Sequence, residues 1–454
     1  MDNGMQKRYG LITAMAMVVG IVVGSGVFFK AEKVLSCTGG DMKLGILAWI
    51  IGGVIMIACA YSFAVMATKY EKVNGVVDYA EATVGPKYGY MLGWFLTMIY
   101  YPTLTSVLAW VSARYTCVLF GVEDITGGIC MVIACFYLVA SYALNALSPI
   151  LAGKFQVATT IIKLIPLLLM AVVGTIFGLK TGMTTYNFTH VVTDMPTGTA
   201  LFTAVVATSF AYEGWVIATS INSELKDSKK NLPRALVGGT FIIMAVYILY
   251  YVGLAGAVTN EEMMAGGEAA ARMAFETVFS SVGGTLIFVF VIISCLGTLN
   301  GLMLACTRGM YSLAARDRGP NPKLFKEISP TTNMPTNAAI FGVLLAGAWL
   351  LYFYGANLTT PWFGFFSFDS SELPIVAIYA MYIPIFFKMM TFKELPTFKR
   401  IIAPFVAVCG CIFMVVAACF AHRTAVIAFL IIFVVITVIG LCFAKEKGGK
   451  EETL

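Results

Sequence analysis

Charge is scarce in this sequence. Only 12% of its 454 residues are Asp, Glu, Lys or Arg, against the ~25% that a soluble domain uses to face water. With 59% hydrophobic residues and a mean hydropathy of +0.86, the chain cannot cover a water-soluble globule. Lipid must be its solvent. Histidine is rarer still: His190 and His422 are the only two, and neither has a partner at metal-ligand spacing, so no metal is expected. No Walker-type phosphate loop occurs, which sets aside ATP-driven transport. No catalytic constellation is present either, so neither an enzyme nor a cofactor is expected. The eleven cysteines mostly fall inside apolar runs, as Cys59, Cys135, Cys295, Cys409 and Cys419 do. There they act as small hydrophobes and not as a disulfide framework. The polar start runs directly into a full-length apolar span, which argues against a cleaved leader.

What is present is a series of apolar blocks, each long enough to cross a bilayer at about 20 residues. Twelve are read, near residues 9–35, 44–68, 88–120, 126–147, 152–178, 199–222, 234–258, 281–308, 336–354, 362–387, 401–421 and 424–443. With the N-terminus inside, the inner segments hold 22 of the 30 Lys and Arg, the outer loops hold 7, and Lys163 lies within a span. That bias predicts both the even count and cytoplasmic termini in a cell (inner) membrane. The positive net charge is cytoplasmic anchoring and carries no implication of nucleic acid. Two loops, residues 69–87 and 260–276, carry mixed charge and read as short surface helices.

Two spans are interrupted at their centres. The first reads Gly-Ile-Val-Val-Gly-Ser-Gly-Val-Phe over Gly20–Phe28, and the sixth reads Ser-Phe-Ala-Tyr-Glu-Gly-Trp over Ser209–Trp215. Spans one and six cross in opposite directions, so matching breaks predict an inverted repeat with its site at the midplane. The first repeat covers about 9–178 and the second about 199–387, with helices 11 and 12 (about 401–443) added outside, all in one transmembrane domain. The alternative is that these glycines only let helices pack closely.

A broken helix in hydrocarbon leaves backbone N–H and C=O groups that need partners. The N–H groups at Gly24, Ser25 and Gly26, at the start of a half-helix, suit a carboxylate. The carbonyls freed near Val22 and from Phe210 to Glu213 suit an ammonium group. A small zwitterion offers both. The candidate substrate-binding residues are Val22, Gly24, Ser25, Gly26, Phe210, Ala211, Glu213 and Gly214. Lys163, about 13–15 Å along its helix from the cytoplasmic edge, is too deep to reach water easily. Lys154 lies near that edge and can snorkel. Asp369 and Glu372 are further acids within a span, at an outer vestibule. Tyr247, Ser294 and Asn300 are polar groups facing the bundle, as ligands or as interhelical hydrogen bonds.

The segment "GIVVGSGVFF" resembles the first-helix signature of the APC (amino acid–polyamine–organocation) transporters. "SFAYEGW" with "SELKDSKKNLPRA", and "SCLGTLNG" with "TRGMYSLAARDRGPNP", resemble the sixth and eighth helices of the L-type amino acid transporter branch, in its bacterial alanine-serine-cysteine form. The resemblance implies an all-α membrane protein of twelve helices with the LeuT-type 5+5 inverted repeat and discontinuous helices 1 and 6. It implies sodium-independent exchange of small neutral L-amino acids by alternating access. Proton-coupled symport, or exchange of cationic or large neutral amino acids, is the alternative; a channel or receptor is the reading from another class. By position, Ser25 and Gly26 would hold the substrate carboxylate, Val22, Phe210 and Glu213 would offer carbonyls, and the Phe210 ring would gate the outer side. Lys163 would stand where sodium-driven relatives bind sodium, with a structural salt bridge or a partly neutral buried lysine as the alternative; Tyr247 and Asn300 join it as coupling residues. Glu213 departs from the small or aspartate residue common there. It could favour cationic substrates, pair with a lysine or face water. Animal relatives join an ancillary subunit through a cysteine between spans three and four. Here Phe120 to Gly128 has none, the nearest being Cys117 and Cys130, so no covalent partner is expected.

Overall fold

A computed structural model describes residues 10–24, 26–70, 75–216, 225–332, 334–358 and 360–444. The chain there is helical. Helix α1 (Leu11–Val22) stops where Val23 turns extended, and α2 (Gly26–Cys37) resumes after it. The long α3 (Met42–Lys69) follows, capped by the Asp41 carboxylate on the Lys43 and Leu44 N–H groups; this satisfies donors that a helix start otherwise leaves open. Short α4 (Val76–Thr83) leads to α5 (Pro86–Phe95), a π turn at Leu96–Tyr100 and α6 (Tyr101–Leu119). Then come α7 (Gly128–Leu147), α8 (Pro149–Ile162), α9 (Leu164–Leu169), a second π turn, α10 (Thr175–Thr181) and α11 (Met183–Thr189).

The second half opens with α12 (Thr197–Ala211), which ends before Glu213, and with α13 (Ser228–Ala255). Next are α14 (Asn260–Gly266), started by a Thr259–Glu262 capping box, and α15 (Glu268–Ala314), which bends at Ser280 where φ is 64°. After α16 (Pro322–Phe325) and α17 (Thr336–Ala356), α18 (Leu373–Met389), α19 (Ala403–Ala421) and α20 (Arg423–Leu441) complete the bundle. Among the described residues nine helices are long and apolar enough to cross a membrane, and α12 and α18 are shorter apolar helices.

One expected boundary moves. The apolar run starting at 362 is not α-helical until Leu373: Pro361 and Gly364 (φ 50°) break it, leaving a single 3-10 turn at Gly364–Phe366. Its aromatics fold over the end of α17, where the Tyr352 hydroxyl donates to Phe366 O at 2.6 Å. The mixed-charge segment before span eight is α14 plus the first turns of α15, as the kink at Ser280 separates them from the span. The expected sixth span to 222 runs past α12 into residues 217–224, which lie outside the described residues.

Two groups of helices meet along the molecule. The set α1, α2, α3, α12 and α13 packs together, and α6, α7, α8, α15 and α17 form a second set. Glycine sets how closely they approach. A Cβ on Gly20 would lie 2.3 Å from Thr160 Cγ2, and one on Gly297 would lie 2.4 Å from Thr159 Oγ1. Helix α8 is therefore wedged between α1 and α15 against bare backbone, which only glycine permits.

Candidate functional site

Both expected breaks are present, and they touch. At the first, Val23 has φ −66° and ψ 108° and Gly24 follows in a bend before α2. At the second, α12 ends at Ala211, and Gly214 takes φ 99°, a left-handed conformation that glycine reaches without strain. A Cβ on Gly26 would come within 2.6 Å of Ala211 Cα, and one on Gly24 within 2.2 Å of Thr298 Oγ1. The first and third positions of Gly-Ser-Gly are thus bare so that α12 and α15 can close on the break. Ser25 lies outside the described residues.

The carbonyls released by the breaks share a partner. Tyr247, fully buried on α13, directs its hydroxyl at Val22 O (3.2 Å) and Ala211 O (3.1 Å). One phenol therefore ties the two broken helices together. Its ring stacks on Tyr212, and both rings lie against Trp49. Further along α1, the buried Lys163 ammonium donates to Gly20 O. No acid pairs with it among the described residues, so its charge is held by the dipole of a backbone carbonyl and not by a salt bridge. Lys154 is exposed.

Glu213 sits in the second break and is buried. Tyr100, the last residue of the π turn, donates its hydroxyl to Glu213 Oε1, while Oε2 has no hydrogen-bond partner. Among the described residues Glu213 makes no ion pair, so the pairing with a lysine is not seen. A π turn widens a helix locally and recurs at functional sites; here it brings a phenol to the break.

Asn300 occupies a different place. Its amide oxygen accepts from Asn145 (2.9 Å), and its amide nitrogen donates to Gln156 Oε1 (3.2 Å) and Ala152 O (3.3 Å). The side chain fastens α15 to α7 and α8. Ser294 is buried on the same helix with its hydroxyl unpartnered.

At the end that the charge bias assigns to the outside, Phe210 is buried with the Lys30 ammonium 5.6 Å from its ring centre. Lys30 rises from α2 and donates to Glu372 Oε1 at 2.6 Å and Ser371 Oγ at 3.1 Å. Above the pair lies a cavity of about 250 Å³ whose lining includes Lys30, Lys33, Arg114 and Asp369. At the opposite end Arg316 of α15 reaches Asp78 (2.5 Å) and Glu81 (3.5 Å) on α4.

Lys30, Tyr100, Thr298 and His422 were not among the residues expected at the site. Lys30 had one sequence signal: two acids in the tenth apolar run require a cation. Tyr100 had none, because a phenol in an apolar helix reads as packing.

A family model described as amino acid permease matches residues 9–442. The chain is 32% identical over 393 residues to the serine/threonine exchanger SteT of Bacillus subtilis, covering 87% of this chain and 85% of that one. It is 27% identical over 354 residues to the large neutral amino acids transporter small subunit 2 of Rattus norvegicus (75% and 63% covered). To the b(0,+)-type amino acid transporter 1 of Homo sapiens it is 25% identical over 352 residues (77% and 71%). These relatives are transporters, the last two of the L-type branch. An apolar helical bundle with two broken helices in contact, matched over nearly its whole length, therefore belongs to the amino acid permease family of the APC superfamily.

Proposed function

We propose that the chain is a sodium-independent exchanger of small neutral amino acids. In this reading it has twelve spans in the 5+5 inverted repeat, cytoplasmic termini and alternating access around the two breaks. The observation that carries it is the meeting of the breaks at Tyr247, with Lys163 bound to the first of them. The N–H groups around Gly24 and Gly26, at the positive start of α2, receive the substrate carboxylate. The carbonyls of Val22 and Ala211, already aimed at one donor, receive the ammonium group. Lys163 holds Gly20 with a tethered side-chain donor in the place of a sodium ion. Phe210 closes the outer side.

Tyr100, Glu213 and Trp215 are buried around the second break. The serine/threonine exchanger among the relatives supports a small substrate side chain. A second reading, cationic substrates, draws on one observation: Glu213 Oε2 lacks a partner, and a substrate ammonium would supply it. The Phe120–Gly128 loop has no cysteine and Cys117 and Cys130 beside it are buried, which supports a chain with no subunit covalently attached there. Uptake of labelled serine into proteoliposomes, competed by each of the twenty amino acids, tests the substrate class. Alanine, serine, threonine and glycine compete best on this account. Arginine or leucine well ahead of alanine would overturn it.

A further inference from the structure

One carboxylate joins three helices at the outer end. Glu372, at the start of α18 and 2% exposed, gives Oε1 to Lys30 of α2 (2.6 Å) and Oε2 to His422 Nε2 at the α19–α20 corner (2.8 Å). The His422 side chain is 24% exposed, so it alone of the three meets the outer solution. Lys30 belongs to the helix set that carries the breaks. Glu372 and His422 belong to α18 and the corner beyond α19, which pack on each other. Helix α19 also packs on α3 and α12, whereas α2 and α18 make no substantial packing against each other. In the alternating-access reading the pair Lys30–Glu372 crosses the line along which the outer side parts, and the pair Glu372–His422 does not.

We propose that His422 is an outer proton sensor that sets the strength of the Lys30–Glu372 latch over Phe210. The proposal rests on the alternating-access reading above. Three charged groups act on His422: Glu372 and Asp369 from the start of α18, and Lys30 from α2. Arg423, next in the chain, is exposed. Burial works against a charge on His422, yet the hydrogen bond and charge of Glu372 outweigh it and raise its proton affinity; Lys30 opposes that rise. When the outer side opens, Lys30 leaves with α2 while Glu372 stays. The opposing charge is then gone and His422 binds its proton more tightly. By linkage, the state that holds the proton more tightly is favoured by acid. Outer acid thus opens the latch, since a charged His422 already neutralises the carboxylate that Lys30 must release. Raising the pH through the His422 titration closes it.

Two measurements on the full chain in proteoliposomes test this. With the inside held at pH 7.5, the outer apparent KM for labelled serine falls about fivefold to tenfold between outer pH 8 and 5.5, the low end of couplings between sites. His422→Gln, which keeps a neutral donor near Glu372, gives a flat profile, and Lys30→Met flattens it as well. Hydrogen–deuterium exchange of peptides from α2, compared between wild type and His422→Gln at the same pH, reports the latch without transport. Wild type exchanges faster at pH 5.5 and equally at pH 7.5. A His422→Gln profile that still follows wild type, or a wild type flat in both measurements, overturns the sensor. Faster α2 exchange at pH 5.5 in a chain that shows no serine exchange would instead overturn the exchanger and leave the latch standing.

Discussion

Lys163 is the residue on which the proposed sodium independence turns. A lysine in hydrocarbon normally finds an acid or marks a function. Here the ammonium donates to Gly20 O, a carbonyl two residues upstream of the Val22 carbonyl that Tyr247 holds. Charged hydrogen bonds contribute roughly 1.5–3 kcal/mol, about one to two decades in an equilibrium constant. Lys163→Ala therefore lowers the initial exchange rate about tenfold or more, while thermal melting in detergent still shows a folded chain. Lys163→Arg fails to restore it, because a planar guanidinium does not fit a site built for a compact ammonium against α1. Wild-type exchange in Lys163→Ala would contradict the role. The lysine itself was legible, as a cation deep inside an apolar run. Its partner was not, because every residue carries the same carbonyl and only the wedge of α8 against Gly20 selects this one.

At the scale of the element, the π turn at Leu96–Tyr100 shows how a sequence feature is completed by a distant helix. Pro102 has no N–H to give to the carbonyl four residues back, Met98. The Trp349 indole of α17 donates to Met98 O at 3.0 Å instead. Trp349→Phe leaves that carbonyl without the donor and costs about 1–3 kcal/mol, read as a lower melting temperature. Pro102→Ala added to Trp349→Phe returns a backbone donor and recovers part of the loss. A double variant no more stable than Trp349→Phe alone would sink this account of the turn. Proline made an irregularity legible near residue 102. That it would be a π turn presenting Tyr100 to Glu213 depended on α17, far away in sequence. The breaks in the first and sixth spans were legible for the opposite reason: three glycines in one and Glu-Gly in the other break the helix locally.

For the whole molecule, hydropathy and charge bias sufficed to predict a helical membrane bundle, because both signals are local and repeat along the chain. The ion pairs at its two ends were not readable, since Lys30 and Glu372 are 342 positions apart, as are Arg316 and Asp78 by 238. In the proposed exchange cycle those pairs are the two closures: one joins α2 to α18 at the end assigned to the outside, the other joins α15 to α4 at the opposite end. In the exchange cycle proposed here, each opens only when the other is shut and substrate bridges the two breaks. The direct test is counterflow in proteoliposomes. Vesicles loaded with unlabelled serine take up labelled serine many times faster than empty vesicles, and equally well in sodium or potassium buffer. Equal uptake by empty and loaded vesicles, or uptake that requires a sodium gradient, would contradict the exchanger.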